Sequence, residues 1–149
     1  RAQDENIRYV SDVNDDPGQI YARILAIEAT SWKGRQGEGF NQPPGANFYR
    51  DIIHRLHTAG ALRVIFAQRD GVDLAFVVGA IVHGRYRGLQ ISYNQDFAHL
   101  SLGNCLQITM IENLCVEGVG IYDLGTDMPY KARWAETTFE TSIIAVMPP

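Results

Sequence analysis

Cysteine is scarce in this sequence: of 149 residues only Cys105 and Cys115 carry a thiol. The apolar spacing around them puts both on one helix, roughly 15 Å apart along its axis, too far for a disulfide. Both read as small core residues, and a chain without cross-links suits a reducing, cytoplasmic setting. Long hydrophobic runs are missing too. The most apolar stretch, Leu74 to Val82, is strand length, far short of the ~20 residues of a membrane span. No signal-peptide pattern opens the chain, and the absent initiator Met is compatible with a processed start or a domain taken from a longer parent. Positive charge is not in excess: 13 Lys and Arg face 17 Asp and Glu, for a net charge of −4. That balance argues against nucleic acid as a partner, though helix-end amides can still hold an anionic cofactor. Metal-ligand clusters are lacking. His54 and His57 are three apart on a helix with no third ligand near in sequence, so no metal is expected. The chain also lacks the Gly-Lys-Ser/Thr ending of a nucleoside-triphosphate loop, a three-Gly dinucleotide fingerprint and a nucleophile elbow.

What is present is the make-up of one globular domain over residues 1–149. Hydrophobic residues reach 46% and charged residues 20%, and a chain of this length buries about two-thirds of its unfolded surface. Ile7 to Val13 alternates weakly, as an edge strand does. Asn14-Asp15-Asp16-Pro17 is a helix start, and Ile20, Ile24 and Ile27 carry one helical face to about Trp32. Gly34 to Gly45 reads as a loop. Asn47 is placed to cap a second helix with Phe48, Ile52, Ile53 and Leu56 inward and Gly60 as its stop. Three strands follow: Leu62 to Gln68, Val72 to His83 and Tyr86 to Tyr93. Arg69-Asp70-Gly71 forms the first hairpin turn, and the middle strand, apolar on both faces, is central. A third helix runs from Ser101-Leu102-Gly103-Asn104 to Glu117, then come a short buried strand Ile121 to Leu124, a short helical turn over Thr126 to Trp134, and a closing strand Thr138 to Val146. The order predicts an α/β (α+β) fold: a mostly antiparallel sheet of about six to seven strands flanked by helices, with one parallel joint that splays into a crevice.

Three segments carry chemistry. In Tyr93 to Asn104 a strand ends and Ser101 and Gly103 open an apolar helix, whose free amides and dipole can hold a pyrophosphate; Ser101 is equally an ordinary cap. In Asp123 to Trp134, after a strand end, Lys131 can stabilise a developing oxyanion and Tyr130 can protonate a leaving thiolate; the plain alternative is a surface turn. In Glu28 to Gly34, Glu28 and Trp32 are four apart on one helix face, where carboxylate and indole can grip an amine; the plain alternative is a half-buried helix end.

Taken in order, Glu28 to Gly34, Phe48-Tyr49-Arg50, Asp70-Gly71, Tyr93 to Gly103 and Asp123 to Trp134 resemble the acetyltransferase domain of the CelD/BioF2-like group within the GNAT superfamily, related to the FemAB-like peptidyltransferases. The resemblance covers nearly the whole chain from about residue 17. It implies transfer of an acyl group from acyl-CoA, as co-substrate, to a small-molecule or peptidyl amine; a homodimer is compatible with it. The donor turn falls on Ser101, Leu102, Gly103 and Asn104, with Ser92 and Tyr93 supplying amides to the carbonyl. The closing element falls on Tyr130, Lys131 and Trp134, with a catalytic role for Lys131. Glu28 and Asp96 are candidate bases, and Trp32, Lys33, Asp96 and Asp123 are expected to meet the acceptor. Leu100 and Cys105 depart from the usual pyrophosphate pattern, and Asn94 and Leu102 stand where the group tends to have Asp and Pro. Two alternatives stay open: an aminoacyl-tRNA-dependent transferase, and an acyl-CoA-binding scaffold without turnover.

Overall fold

A computed structural model describes residues 6–37, 43, 45–142 and 144 of the chain. Five strands form one sheet in sequence order: β1 (Arg8–Val10), β2 (Leu62–Arg69), β3 (Val72–Val82), β4 (Arg85–Tyr93) and β5 (Ile121–Asp123). Neighbours pair antiparallel except β4 and β5, which are parallel. Four α-helices flank the sheet: α1 (Pro17–Thr30), α2 (Trp32–Arg35), α3 (Gly45–Thr58) and α4 (Leu102–Val116).

The two hairpins follow from local chemistry. Asp70 (φ 52°) and Gly71 (φ 79°) join β2 to β3, and His83 (φ 50°) and Gly84 (φ 72°) join β3 to β4. Two consecutive residues at positive φ match the twist of the flanking strands. β3 is buried from Leu74 to Ala80 because it is covered on both faces. On one face Ile20, Ile24 and Ile27 of α1 and Ile53 of α3 pack on Val64, Phe66, Phe76 and Val78. On the other, Leu102, Leu106, Met110 and Leu114 of α4 pack on Ile65, Val77 and Tyr86.

Asp16 caps α1 as its sequence predicts, accepting from the amides of Gly18 (2.9 Å) and Gln19 (3.1 Å). The helix does not run on to Trp32. Ser31 breaks it: its hydroxyl donates to the Glu28 carbonyl (2.8 Å) and accepts from the Gly34 amide (3.1 Å), ending α1 and capping α2 together. Glu28 and Trp32 therefore do not share a helix face. α3 begins at Gly45, so Asn47 lies inside its first turn and is not its cap. The phase this sets turns Tyr49, Ile53 and Leu56 inward and leaves Phe48 60% exposed, edge-on to Tyr49. Gly60 (φ 67°) ends the helix as expected.

Gln95–Leu100 is a 3-10 segment begun by the Asn94 side chain, which accepts from the Asp96 amide (3.0 Å). Among the described residues β5 is paired along one side only, and Ile121 is exposed rather than buried. Cys115 is exposed on α4, so only Cys105 fits the core reading, and in part. Residues 138–142 form no strand and are exposed; the remainder of the expected closing strand, at 143 and 145–146, lies outside the described residues. The sheet thus has five strands among the described residues, short of the six to seven expected.

Candidate active site

The parallel joint is short. β4 pairs with β5 only at Arg85, Tyr86 and Arg87, opposite Ile121, Tyr122 and Asp123. Beyond Arg87 the strands part, and among the described residues β4 has no partner on that side from Gly88 to Tyr93. The register with β3 shifts between Val78 and Gly79, leaving Leu89 as an extra residue, and such a bulge deepens the parting. The ladder with β3 decides which amides face the gap. Asn94 donates to Leu74 (2.8 Å), and antiparallel alternation then commits the Ser92 and Gln90 amides to β3 and turns those of Tyr93 and Ile91 outward. Of the two amides expected near the carbonyl, Tyr93 is free to serve and Ser92 is spent in the sheet; the Ser92 side chain is buried.

The start of α4 borders this gap. Ser101 occupies the cap position in a left-handed conformation (φ 55°), and its side chain makes no capping bond, contrary to the ordinary-cap reading. Its carbonyl accepts from Asn104 (3.0 Å) and Cys105 (3.3 Å). The amides of Leu102 and Gly103 come too early in the helix to find an acceptor inside it. A Cβ at Gly103 would stand 3.8 Å from the Tyr93 ring, so this bare stretch of backbone lies beside the strand end that offers the outward amide. The positive end of a 15-residue helix adds to the pull on an anion.

The far wall is the turn after β5. Arg87 donates to Asp123 (2.6 Å), whose other oxygen accepts from the Gly125 amide (2.8 Å). Burial pushes the Asp123 carboxyl up, but the Arg87 hydrogen bond, the Gly125 amide and the charges of Arg87 and Arg85 together hold it below its ordinary range. Lys131, in the 3-10 turn Pro129–Lys131, donates to the carbonyls of Leu124 (2.7 Å) and Thr126 (2.8 Å). Burial and the Arg87 charge lower its pKa against the opposing pull of Asp123 and Asp127. Asp123 and Lys131 are thus engaged in fixing the turn. The side chain of Tyr130 lies outside what the structure describes.

The near wall is the corner between α1 and α2. Glu28 is fully buried, with one oxygen on the Gln90 amide group (3.2 Å). Lys33 is half-buried. Burial lowers its pKa, the Glu28 charge opposes this and the Lys131 charge adds to it. Trp32 is 46% exposed. Asp96 is not a free carboxylate: it pairs with Arg35 of α2 (2.9 Å), joining the corner to the segment ahead of α4. Gln90, Arg87 and Arg35 have no signal in the sequence, since each matters only through a partner from a distant segment.

No group of His, Cys, Asp or Glu among the described residues is arranged to hold a metal ion, and no described helix is long and apolar enough to cross a membrane.

Comparison with known proteins fits this architecture. No curated protein matches the chain in sequence. Among solved structures it is similar to an aminoglycoside acetyltransferase from an uncultured soil metagenomic sample, in complex with sisomicin (TM-score 0.66, 10% identity, 98% of this chain and 97% of that one). It is similar to a GCN5-related N-acetyltransferase from Ralstonia eutropha JMP134 (TM-score 0.66, 14% identity, 93% and 99%). It also resembles the PaiA N-acetyltransferase from Thermoplasma acidophilum in complex with coenzyme A (TM-score 0.56, 11% identity, 76% and 75%). At these identities the likeness is one of fold. The family described as acetyltransferase (GNAT) domain matches residues 1–132, and the chain therefore belongs to that family, as an N-acetyltransferase of the acetyl-CoA-dependent type.

Proposed function

We propose that residues 1–149 act as a single N-acyltransferase domain of the CelD/BioF2-like kind, moving an acyl group from acyl-CoA to an amine in a ternary complex, in a reducing, cytoplasmic setting. The observation that carries this reading is the junction of Tyr93 with Gly103: an outward strand amide lies next to two helix-start amides without acceptors. The donor's pyrophosphate is assigned to the Leu102 and Gly103 amides, within the turn Ser101 to Asn104. Its thioester carbonyl is assigned to the Tyr93 amide, which polarises it. That spacing fits a donor laid along β4 from helix to gap.

The acceptor's nitrogen attacks the thioester carbonyl; the new C–N bond forms as the C–S bond breaks, Tyr130 is the proton donor assigned to the departing thiolate, and the proton the nitrogen loses restores Tyr130. Lys131 supports the reaction by holding the turn that carries Tyr130. The acceptor enters at the α1–α2 corner past Trp32 and Lys33. The net charge of −4 favours this reading over transfer from aminoacyl-tRNA. Calorimetry with acetyl-CoA and longer acyl-CoAs, beside a turnover assay on an amine panel, tests it. Binding and turnover are expected; no binding at millimolar donor sinks the proposal, and binding without turnover on any amine leaves only the scaffold alternative.

A further inference from the structure

Glu28 is the only fully buried charged side chain among the described residues. Packing gives no reason for it, since Ile20, Ile24 and Ile27 already carry the buried face of α1. One oxygen, Oε1, accepts from Gln90 Nε2 at 3.2 Å, while Oε2 is equally enclosed and has no partner. A buried carboxylate oxygen without a partner is costly, and is retained where something else completes it. Lys33 lies within range of the Glu28 charge but forms no ion pair with it. The backbone around Glu28 is rigid: Ser31 grips its carbonyl from both amide and hydroxyl, and Gly34 is pressed so close that a Cβ there would overlap the same carbonyl oxygen. Gln90 is on the stretch of β4 that, among the described residues, has no partner on its β5 side, and on the face opposite Ile91 and Tyr93, which pack with α4. The donor turn and Glu28 therefore flank one strand edge from its two faces.

We propose that Glu28 Oε2 receives the acceptor's ammonium group, and that Gln90 is the positioning residue that holds the carboxylate for it. The inference rests on the reading of the β4–β5 gap as the transferase site. The chemical class it selects is a primary ammonium on a slender arm, because an oxygen so enclosed admits no bulky or secondary amine. One ammonium proton passes to Oε2, and the neutral nitrogen attacks the thioester. A second proton leaves that nitrogen as the amide forms and restores Tyr130, which has given its own to the thiolate. The proton on Glu28 returns to solvent after the amide departs.

The test uses the full chain with n-butylamine, spermidine and sisomicin as probes, and the variants Glu28→Gln, Gln90→Leu and Lys33→Met. Acetyl-CoA affinity, measured by calorimetry, is expected to be the same in all four proteins, which also checks that each folds. KM for the amines should rise about tenfold in Glu28→Gln and Gln90→Leu, from loss of a charge-assisted hydrogen bond and of its aim. In Lys33→Met it should fall a few-fold, because a competing cation leaves the entrance. Without any donor present, the 13C carboxyl resonance of Glu28 should move on adding n-butylamine in the wild type and move less in Gln90→Leu. Unchanged amine KM in both Glu28→Gln and Gln90→Leu overturns the proposal, and so does a Glu28 resonance indifferent to saturating amine. Failure of the wild type to bind acetyl-CoA would instead remove the transferase reading of the gap, and the resonance experiment still decides the fate of Glu28.

Discussion

Ser101 and Gly103, two residues apart, carry opposite expectations. Ser101 holds a left-handed conformation with no capping bond, so Ser101→Ala should leave stability almost unchanged. Ser101→Gly should raise it by about 0.5–1 kcal/mol, because glycine adopts that conformation without strain. Gly103 is helical, and an added Cβ meets the Tyr93 ring at ordinary contact distance. Gly103→Val should therefore melt within about 1 kcal/mol of the wild type while binding acyl-CoA about a hundredfold more weakly, through loss of close backbone approach to a phosphate. Thermal melts and donor titrations on the three variants check both; a Gly103→Val protein that binds donor normally moves the pyrophosphate elsewhere. Asp123 gives a pH signature. Its folded carboxyl is held below the ordinary value of about 3.9. The stability it contributes is complete above that value and is lost as pH falls through the folded one. Asp123→Asn should show a shallower fall in melting temperature between pH 5 and pH 3 than the wild type.

Among the elements, the α1–α2 corner shows what a sequence reveals and what it hides. The start of α1 was legible because an Asp-Pro pair announces a cap by itself. Its end was not, because Ser31 is a break only through bonds to Glu28 and Gly34 that a helical pattern continuing to Trp32 conceals. The hairpins, the central β3 and the parallel β4–α4–β5 crossover were legible from turn residues and apolar runs. That the described residues hold five strands was not, since composition does not say whether a stretch such as 138–142 is covered. The donor turn could be found as a motif, whereas Gln90, Arg87 and Arg35 gain meaning only from partners 62, 36 and 61 residues away. At the corner itself, Gly34→Ala should cost about 2 kcal/mol or more despite the better helix propensity of alanine, because the new Cβ meets backbone that cannot yield. Chemical denaturation measures it, and a neutral result would mean that the corner is looser than described.

Across the whole molecule, two apolar layers cover the faces of one sheet, and at one end Arg23 ties α1 to that sheet. Its guanidinium lies 3.8 Å over the Phe66 ring and bonds Asp73 of β3 (2.7 Å) and Asp12 ahead of α1 (2.7 Å). With that side chain only 22% exposed, Arg23→Leu should cost about 2–3 kcal/mol, part of it from leaving Asp73 without its cation; denaturant midpoints read the loss directly. The parallel joint has a consequence in time. β2, β3 and β4 meet through two-residue turns, so their pairing closes short loops, whereas β5 can align with β4 only after the whole of α4 has docked on the sheet. The gap beside that joint then forms later than the β2–β3–β4 hairpins and opens more readily than they do. Amides of β5 should exchange with solvent deuterium through openings cheaper than those that expose β3, and a chain that has merely collapsed around its hairpins should be blind to its substrates.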